Sequence, residues 1–409
     1  MASRTAVDRQ LPRWSELRPL VNPRWPARDR VRRRLAHAHT IEDLRTIARR
    51  RTPRPVFDYA DGAAEGEISR RRARDAYRRV VFHPRVLRDV SRIDASRTIL
   101  GRDSALPLVL APTGFTRMLQ HEGETAGARA AGRAGVPYTL STMATRSVEE
   151  IAAAAPGGRR WFQLYLWRDR AASRDLVDRA RAHGYDTLVL TVDTPIPGAR
   201  MRDVRNGLTI PPTLTLRTVG DMSRHPAWWF NLLTTEPLTF ASLNRWDGTI
   251  AELAATMFDP GAHLDDLRRL RDAWPGTLIV KGITHPDDAR LVIDAGADGI
   301  VVSNHGGRQL DRAPTPLVVL PEIADAVGDR AEVLVDGGIM SGADVIAAVA
   351  LGATAALVGR AWLYGLMAAG EAGVDHALTI LRDEILRTLA LLGVGDCGSL
   401  GREHVSFES

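Results

Sequence analysis

Cysteine and lysine are almost missing from this 409-residue chain. Cys397 is the single cysteine, which excludes an internal disulfide and a cysteine-rich metal centre, so no metal site is expected. Lys281 is the single lysine among 55 Lys+Arg residues, so arginine carries positive charge everywhere except at one position. Long apolar runs are lacking too. The longest, Val345 to Gly359, is interrupted by Gly352 and Thr354. It falls short of the roughly 20 residues a membrane-spanning helix needs, and reads as a buried helix running into a buried strand. With 44% hydrophobic and 25% charged residues, the composition is that of a globular protein and excludes a disordered or collagen-like chain.

Charge is plentiful but uneven. Residues 1–54 hold 15 Arg against five Asp/Glu, more than the whole net charge of +6, which leaves the remainder slightly acidic. Residues 1–39 read as a basic arm and 40–409 as the globular body. The arm has no apolar core of about 7–15 residues, so it is not a secretory signal. It also lacks the basic–aromatic motifs of nucleic-acid modules, and no nucleic-acid partner is expected. It is either a solvated extension or a contact for anionic lipid. The location expected is cytoplasmic, with attachment to the inner face of the membrane as the further reading.

Eight short apolar runs recur through the body: Leu106–Pro112, Tyr138–Ser141, Trp161–Leu166, Thr187–Asp193, Thr277–Ile283, Gly299–Gly306, Glu332–Gly338 and Ala355–Arg360. They do not alternate polar with apolar, so both faces are covered, as in a parallel sheet. Amphipathic stretches such as 122–135, 173–184, 286–296 and 342–352 separate them, each ending in glycine. The pattern predicts an α/β fold, a (β/α)8 TIM barrel, with a doubly wound sheet as the alternative. Residues 40–105 are expected to form an N-terminal helical cap, with Thr40 as N-cap and Asp43 at N3 of its first helix. A long lid loop, 194–276, is expected after strand four. Its Trp228-Trp229-Phe230 cluster either packs the lid onto the barrel or anchors it at a membrane interface.

In such a barrel the C-terminal strand ends carry the chemistry. Here they gather Pro112-Thr113-Gly114, Ser141, Gln163, Tyr165, Thr191, Asp193, Lys281, Ser303, His305, Arg308, Asp336-Gly337-Gly338 and Gly359-Arg360. The glycine turns after strands seven and eight, with Arg360, suit a phosphate. His305 beside Arg308 suits a substrate carrying a carboxylate and a removable proton, with Asp193 holding the imidazole. Arg200 could complete a carboxylate clamp or be a surface charge. Tyr165 and Tyr59 are hydroxyl donors or core tyrosines. Lys281 is a compact cation at a strand end, where a planar fork would not fit.

Six motifs together resemble the FMN-dependent L-2-hydroxy acid oxidase/dehydrogenase family. They are Ser303-Asn-His-Gly-Gly-Arg-Gln-Leu-Asp311, Leu190-Thr-Val-Asp-Thr-Pro195, Phe162-Gln-Leu-Tyr165, Val280-Lys-Gly282, Ala111-Pro-Thr-Gly114 and Phe57-Asp-Tyr59. Within that family the likeness is greatest to the actinobacterial type of quinone-linked L-lactate dehydrogenase. The resemblance implies FMN as cofactor, His305 as base paired with Asp193, and a substrate carboxylate held by Arg308, Arg200 and Tyr59. It implies Tyr165 on the substrate hydroxyl, and Lys281 against the reduced flavin. Pro112, Thr113, Gly114, Ser141, Gln163 and Thr191 would contact the ring, and Ser303 would also belong to the cofactor-binding set. Asp336, Gly337, Gly338, Gly359 and Arg360 would hold the ribityl phosphate.

Two positions depart from the pattern. Met340 stands where many relatives have Arg, so phosphate charge is expected to rest on Arg360. Gly114 stands where short-chain oxidases have Ala, which is expected to leave room for a substrate larger than lactate and to disfavour an oxidase. The reaction implied is oxidation of an L-2-hydroxy acid, L-lactate foremost, to the 2-oxo acid, with a quinone or similar acceptor and a homotetrameric assembly. The rivals are an oxygen-dependent oxidase producing peroxide and, in another class, a non-catalytic phosphate- or flavin-binding barrel.

Overall fold

The computed structural model describes residues 13–18, 29–207, 220–221, 223–239 and 258–408. Most of the basic arm and the middle of the long connection lie outside these residues. Eight parallel strands close into a barrel: β1 (Leu108–Leu110), β2 (Tyr138–Ser141), β3 (Arg160–Tyr165), β4 (Thr187–Thr191), β5 (Thr277–Ile283), β6 (Gly299–Val302), β7 (Glu332–Asp336) and β8 (Ala355–Val358). The order follows the sequence and β8 pairs with β1, for example Leu357 opposite Val109. This is the (β/α)8 architecture that the eight apolar runs predict.

Two strands are shorter than the runs that announce them. β1 lies between Pro107 and Pro112, neither of which has an N–H to give a ladder. β6 stops at Val302 because the chain then turns: His305 takes φ +58° and Gly306 φ +63°. The Asn304 side-chain oxygen accepts from the Gly307 N–H at 3.1 Å.

Apolar residues cover both faces of the strands. Inside the barrel, Val109, Trp161, Val189, Ile279, Val301, Leu334, Ala355 and Leu357 form one closed cluster, with Ile99 and Leu100 buried against it. Outward-facing Leu110, Phe162, Leu188, Val280, Ile300 and Val335 belong to a second cluster shared with the helices. Removing a fully buried side chain such as Trp161 would cost about 3–5 kcal/mol.

Helices Ile41–Arg51, Arg54–Asp61 and Ile68–Arg78 precede the barrel strands. The first begins with the expected capping box, Thr40 accepting from the Asp43 N–H and Asp43 from that of Thr40. Asp61, 1% exposed, ties these helices to the barrel. It accepts from Arg45 Nε (2.7 Å), Arg202 Nη1 (2.9 Å), Arg70 Nη2 (3.2 Å) and the Tyr364 hydroxyl (2.7 Å). Burial pushes its pKa up, but Arg45 and Arg70 outweigh burial and hold the carboxyl well below the usual carboxylate range.

After β4 a helix, Pro226–Thr234, carries the tryptophan pair. The Trp228 Nε1 donates to the carbonyls of Met118 (3.1 Å) and Leu119 (3.2 Å), and Trp229 is buried. Phe230 and Leu233 are 67% and 63% exposed. The two readings of this cluster therefore divide between its residues: the tryptophans pack inward, and Phe230 faces out. No helix among the described residues is long and apolar enough to cross a membrane.

Candidate active site

The C-terminal strand ends open into a cavity of ≈ 820 Å³ that runs from His305 and Arg308, past Lys281 and Gln163, to Gly338 and Arg360. At the first end, β6 delivers His305. Its Nδ1 lies 2.9 Å from Asp193 Oδ1, just past β4, and its Nε2 lies 3.4 Å from the Tyr165 hydroxyl at the end of β3. With Nδ1 engaged by a carboxylate, Nε2 is the nitrogen free to accept a proton. Burial raises the pKa of Asp193, but the charges of His305 and Lys281 outweigh it and hold the carboxyl below its ordinary value. Burial, then the charge of Asp193, raises that of Tyr165, which stays a protonated donor.

Arg308 and Arg200 lie over the Tyr59 ring, their guanidinium carbons 5.1 and 5.3 Å from its centroid. All three line the cavity. Arg308 is oriented by the carbonyls of Tyr59 (2.6 Å) and Gly62 (3.2 Å), and Arg200 by Asp203 (3.2 Å). Arg200 is thus not a stray surface charge. Burial and the proximity of Arg200 lower the Arg308 pKa, and two close guanidinium groups suit a carboxylate.

Lys281 is the cation in the middle. It is buried, donates to the Ser303 hydroxyl at 2.8 Å and pairs with Asp336 Oδ2 at 3.0 Å. Burial works against its charge, but Asp336 and Asp193 outweigh that and raise its pKa. A β-bulge between Lys281 and Ile283 sits beside it, at Gly282 with φ +111°. A Cβ on Gly282 would lie 2.8 Å from the Asp193 Cβ, so only glycine lets the two strand ends approach. Ser303, expected in the cofactor site, is fully buried and braces its neighbours: its hydroxyl accepts from Lys281 and from the His305 N–H (3.0 Å). Nothing in its residue type separates a brace from a cofactor contact.

Four buried polar atoms on cavity-lining residues have no partner: Thr113 Oγ1, Gln163 Nε2, Thr191 Oγ1 and Asp336 Oδ1. The Gln163 amide is fixed, because its Oε1 accepts from the Ser141 hydroxyl at 3.0 Å. Orphaned donors and acceptors at four strand ends are what a flat, heteroatom-rich ring would satisfy. At the far end Gly337 (φ +93°) and Gly338 (φ +88°) form a turn, and a Cβ on Gly338 would lie 2.8 Å from the Ala73 carbonyl oxygen. Arg360 spends three of its five N–H groups on the carbonyls of Ala60, Gly306 and Gly62, leaving two for an anion. Arg74, overlooked in the sequence among so many arginines, lines the same end. It donates to the Gly338 carbonyl (2.6 Å) and pairs with Asp344 (2.5 Å). These residues fit the ring and phosphate of FMN.

One expectation needs correction. The missing methyl at Gly114 does not leave open space, because a Cβ there would lie 2.8 Å from Met143 Cβ and 3.1 Å from its carbonyl oxygen. Met143 lines the cavity and already fills that side, so glycine here answers a close approach rather than a large substrate.

Comparison with known proteins agrees with this geometry. The family described as FMN-dependent dehydrogenase matches residues 48–407. A provisionally named L-lactate dehydrogenase of Mycobacterium tuberculosis is 57% identical over 98% of this chain and 97% of its own length. L-lactate dehydrogenase of Caulobacter vibrioides is 46% identical over 88% and 95%. The crystal structure of the monotopic membrane protein (S)-mandelate dehydrogenase superposes with a TM-score of 0.88 at 39% identity, covering 91% of this chain and all of that one. The chain belongs to the FMN-dependent dehydrogenase family and is an oxidoreductase that acts on 2-hydroxy acids with FMN as its cofactor.

Proposed function

We propose that the chain oxidises L-lactate to the 2-oxo acid and passes the electrons to a quinone-type acceptor. The observation that carries this reading is the His305–Asp193 pair facing Arg308, Arg200 and Tyr59 across one cavity. Arg308 and Arg200 bind the substrate carboxylate, with Tyr59 lying beneath both guanidinium groups. Tyr165 positions the substrate hydroxyl next to His305 Nε2. His305 takes a proton of the substrate at Nε2, and Asp193 stabilises the imidazolium that results. FMN, when bound, supplies the two-electron acceptor. Lys281, held by Ser303 and Asp336, supplies the positive charge that favours the reduced cofactor.

The names of the two relatives support lactate, and the membrane association of the mandelate dehydrogenase supports an acceptor dissolved in lipid. Phe230 and Leu233, exposed on one helix, are the apolar pair that would meet that lipid surface. The test is anaerobic bleaching of the bound flavin by a panel of L-2-hydroxy acids, followed by reoxidation with a soluble quinone or with oxygen. Fast bleaching by L-lactate and faster reoxidation by quinone are expected. Bleaching only by aromatic hydroxy acids, or peroxide in stoichiometric yield, would refute the reading.

A further inference from the structure

A second pocket, of ≈ 200 Å³, lies between helix Pro226–Thr234, helix Arg30–Leu35 and the barrel. Its lining holds three arginines and a histidine: Arg34, Arg51, Arg117 and His121. Many arginines of this chain pair with carboxylates, as in Arg45–Asp61, Arg179–Glu149 and Arg402–Asp325. Here none of the three does so among the described residues. Arg34 donates to the Ala368 carbonyl (2.8 Å) and Arg117 to the Glu236 carbonyl (2.6 Å), contacts that orient a guanidinium without neutralising it.

Arg117 is 3% exposed and its Nε has no partner, nor has the buried Nδ1 of His121. Glu122, the carboxylate in the lining, is turned to the Glu371 N–H at 2.5 Å. Glu124, close to Arg117, is taken by Thr116 and Thr145. Burial disfavours the charge of Arg34, Arg51 and Arg117, and Arg34 further opposes Arg51. Asp29 offsets part of the charge of Arg34, and Glu124, Glu236 and Glu150 part of that of Arg117, yet none of these carboxylates pairs with either guanidinium; a multidentate oxyanion in the pocket would pair with the half-buried Arg34 and Arg51 and the buried Arg117 directly.

We propose that this pocket binds a phosphate-type oxyanion, clamped by Arg34, Arg51 and Arg117. The anion joins three separate parts of the chain. Arg34 and Arg51 come from the helices before the barrel, Arg117 from the segment after β1, and Trp228 and Asn231 of the lid helix close the other side. Binding therefore steadies the lid helix against the body. The oxyanion could be free phosphate or the headgroup of an anionic phospholipid, and both have the same recognising chemistry.

The test uses the FMN-loaded enzyme, so that the cofactor's own phosphate corner is filled. Its melting temperature is followed against inorganic phosphate, with chloride at equal ionic strength as reference. A saturable rise of a few degrees is expected in the wild type and is lost in Arg51→Gln and Arg34→Gln, which sit on partly exposed helices and spare the buried Arg117. No rise beyond chloride, or the same rise in both variants, would overturn the proposal. Co-sedimentation with phosphatidylglycerol and phosphatidylcholine vesicles then separates the sources. Phosphatidylglycerol binding that is weakened by both variants and competed by phosphate identifies the headgroup. A phosphate-dependent melting shift with vesicle binding unchanged in the variants identifies the free anion.

Discussion

His305 Nδ1 and Asp193 Oδ1 lie 2.9 Å apart although 112 residues separate them in sequence, because β4, β5 and β6 are consecutive staves of one barrel. Asp193 is held ionised by the charges of His305 and Lys281 against the effect of its own burial. Its carboxylate fixes which imidazole nitrogen faces the substrate. Asp193→Asn is expected to bind FMN and fold, yet to lower kcat by about 10²–10⁴-fold. Rapid-mixing measurement of flavin reduction checks this, and a loss confined to KM would show that the carboxylate only shapes the pocket.

The one lysine is a buried member of a three-residue chain, Ser303–Lys281–Asp336. Lys281→Met leaves Asp336 buried and unpaired, an arrangement that costs about 3–5 kcal/mol. Melting should fall accordingly, and Lys281→Met with Asp336→Asn should recover much of it while flavin reduction stays slow. Lys281→Arg is expected to fold but to lose most of the reduction rate, because a planar fork overfills the slot. Unchanged kinetics in Lys281→Arg would return the lone lysine to chance.

Gly114 and Met143 are a matched pair. Gly114→Ala drives a methyl into Met143, and overpacking of this kind costs about 1–3 kcal/mol. Met143→Gly in the same chain removes the Cβ that this methyl meets and should relieve part of that strain, giving a favourable coupling in a double-mutant cycle. Thermal melting of the four proteins measures it; strict additivity would mean that the two positions do not meet.

Asp61 contributes to acid sensitivity together with Asp266 and Glu149, whose carboxyls are also held low by arginine partners. The folded pKa of Asp61 is held below that of an unfolded aspartate, so its contribution is complete above pH about 4 and is lost as pH falls from there. Asp61→Asn should lower the melting temperature at pH 7, where the paired carboxylate is lost, and flatten its decline between about pH 5 and 3. Parallel pH profiles for the two proteins would contradict this assignment.

The barrel was legible in the sequence because a parallel strand must be apolar on both faces, so eight runs stood out without alternation. The glycine after most helices and the Thr40–Asp43 cap were legible for equally local reasons. So were the rim residues, since polar groups at the ends of apolar strands have few other uses. Contacts between distant segments were not. Ser303 read as a cofactor-site residue with no further role, and only the packing shows it bracing Lys281 and His305. Asp61 and Arg74 carry no signal in a chain with so many Arg and Asp: Asp61 becomes visible only where Arg45, Arg70 and Arg202 converge on it, and Arg74 only where it meets Asp344 and the Gly338 carbonyl. The space beside Gly114 depends on Met143, 29 positions later, which no local pattern reveals.

The central claim is that His305 takes the substrate proton. It is tested most directly by anaerobic mixing of FMN-loaded His305→Gln with L-lactate while flavin absorbance is followed. The account predicts a yellow, folded protein whose flavin bleaches at least 10²-fold more slowly than the wild type (an order-of-magnitude expectation for a lost general base). Bleaching at the wild-type rate would contradict it.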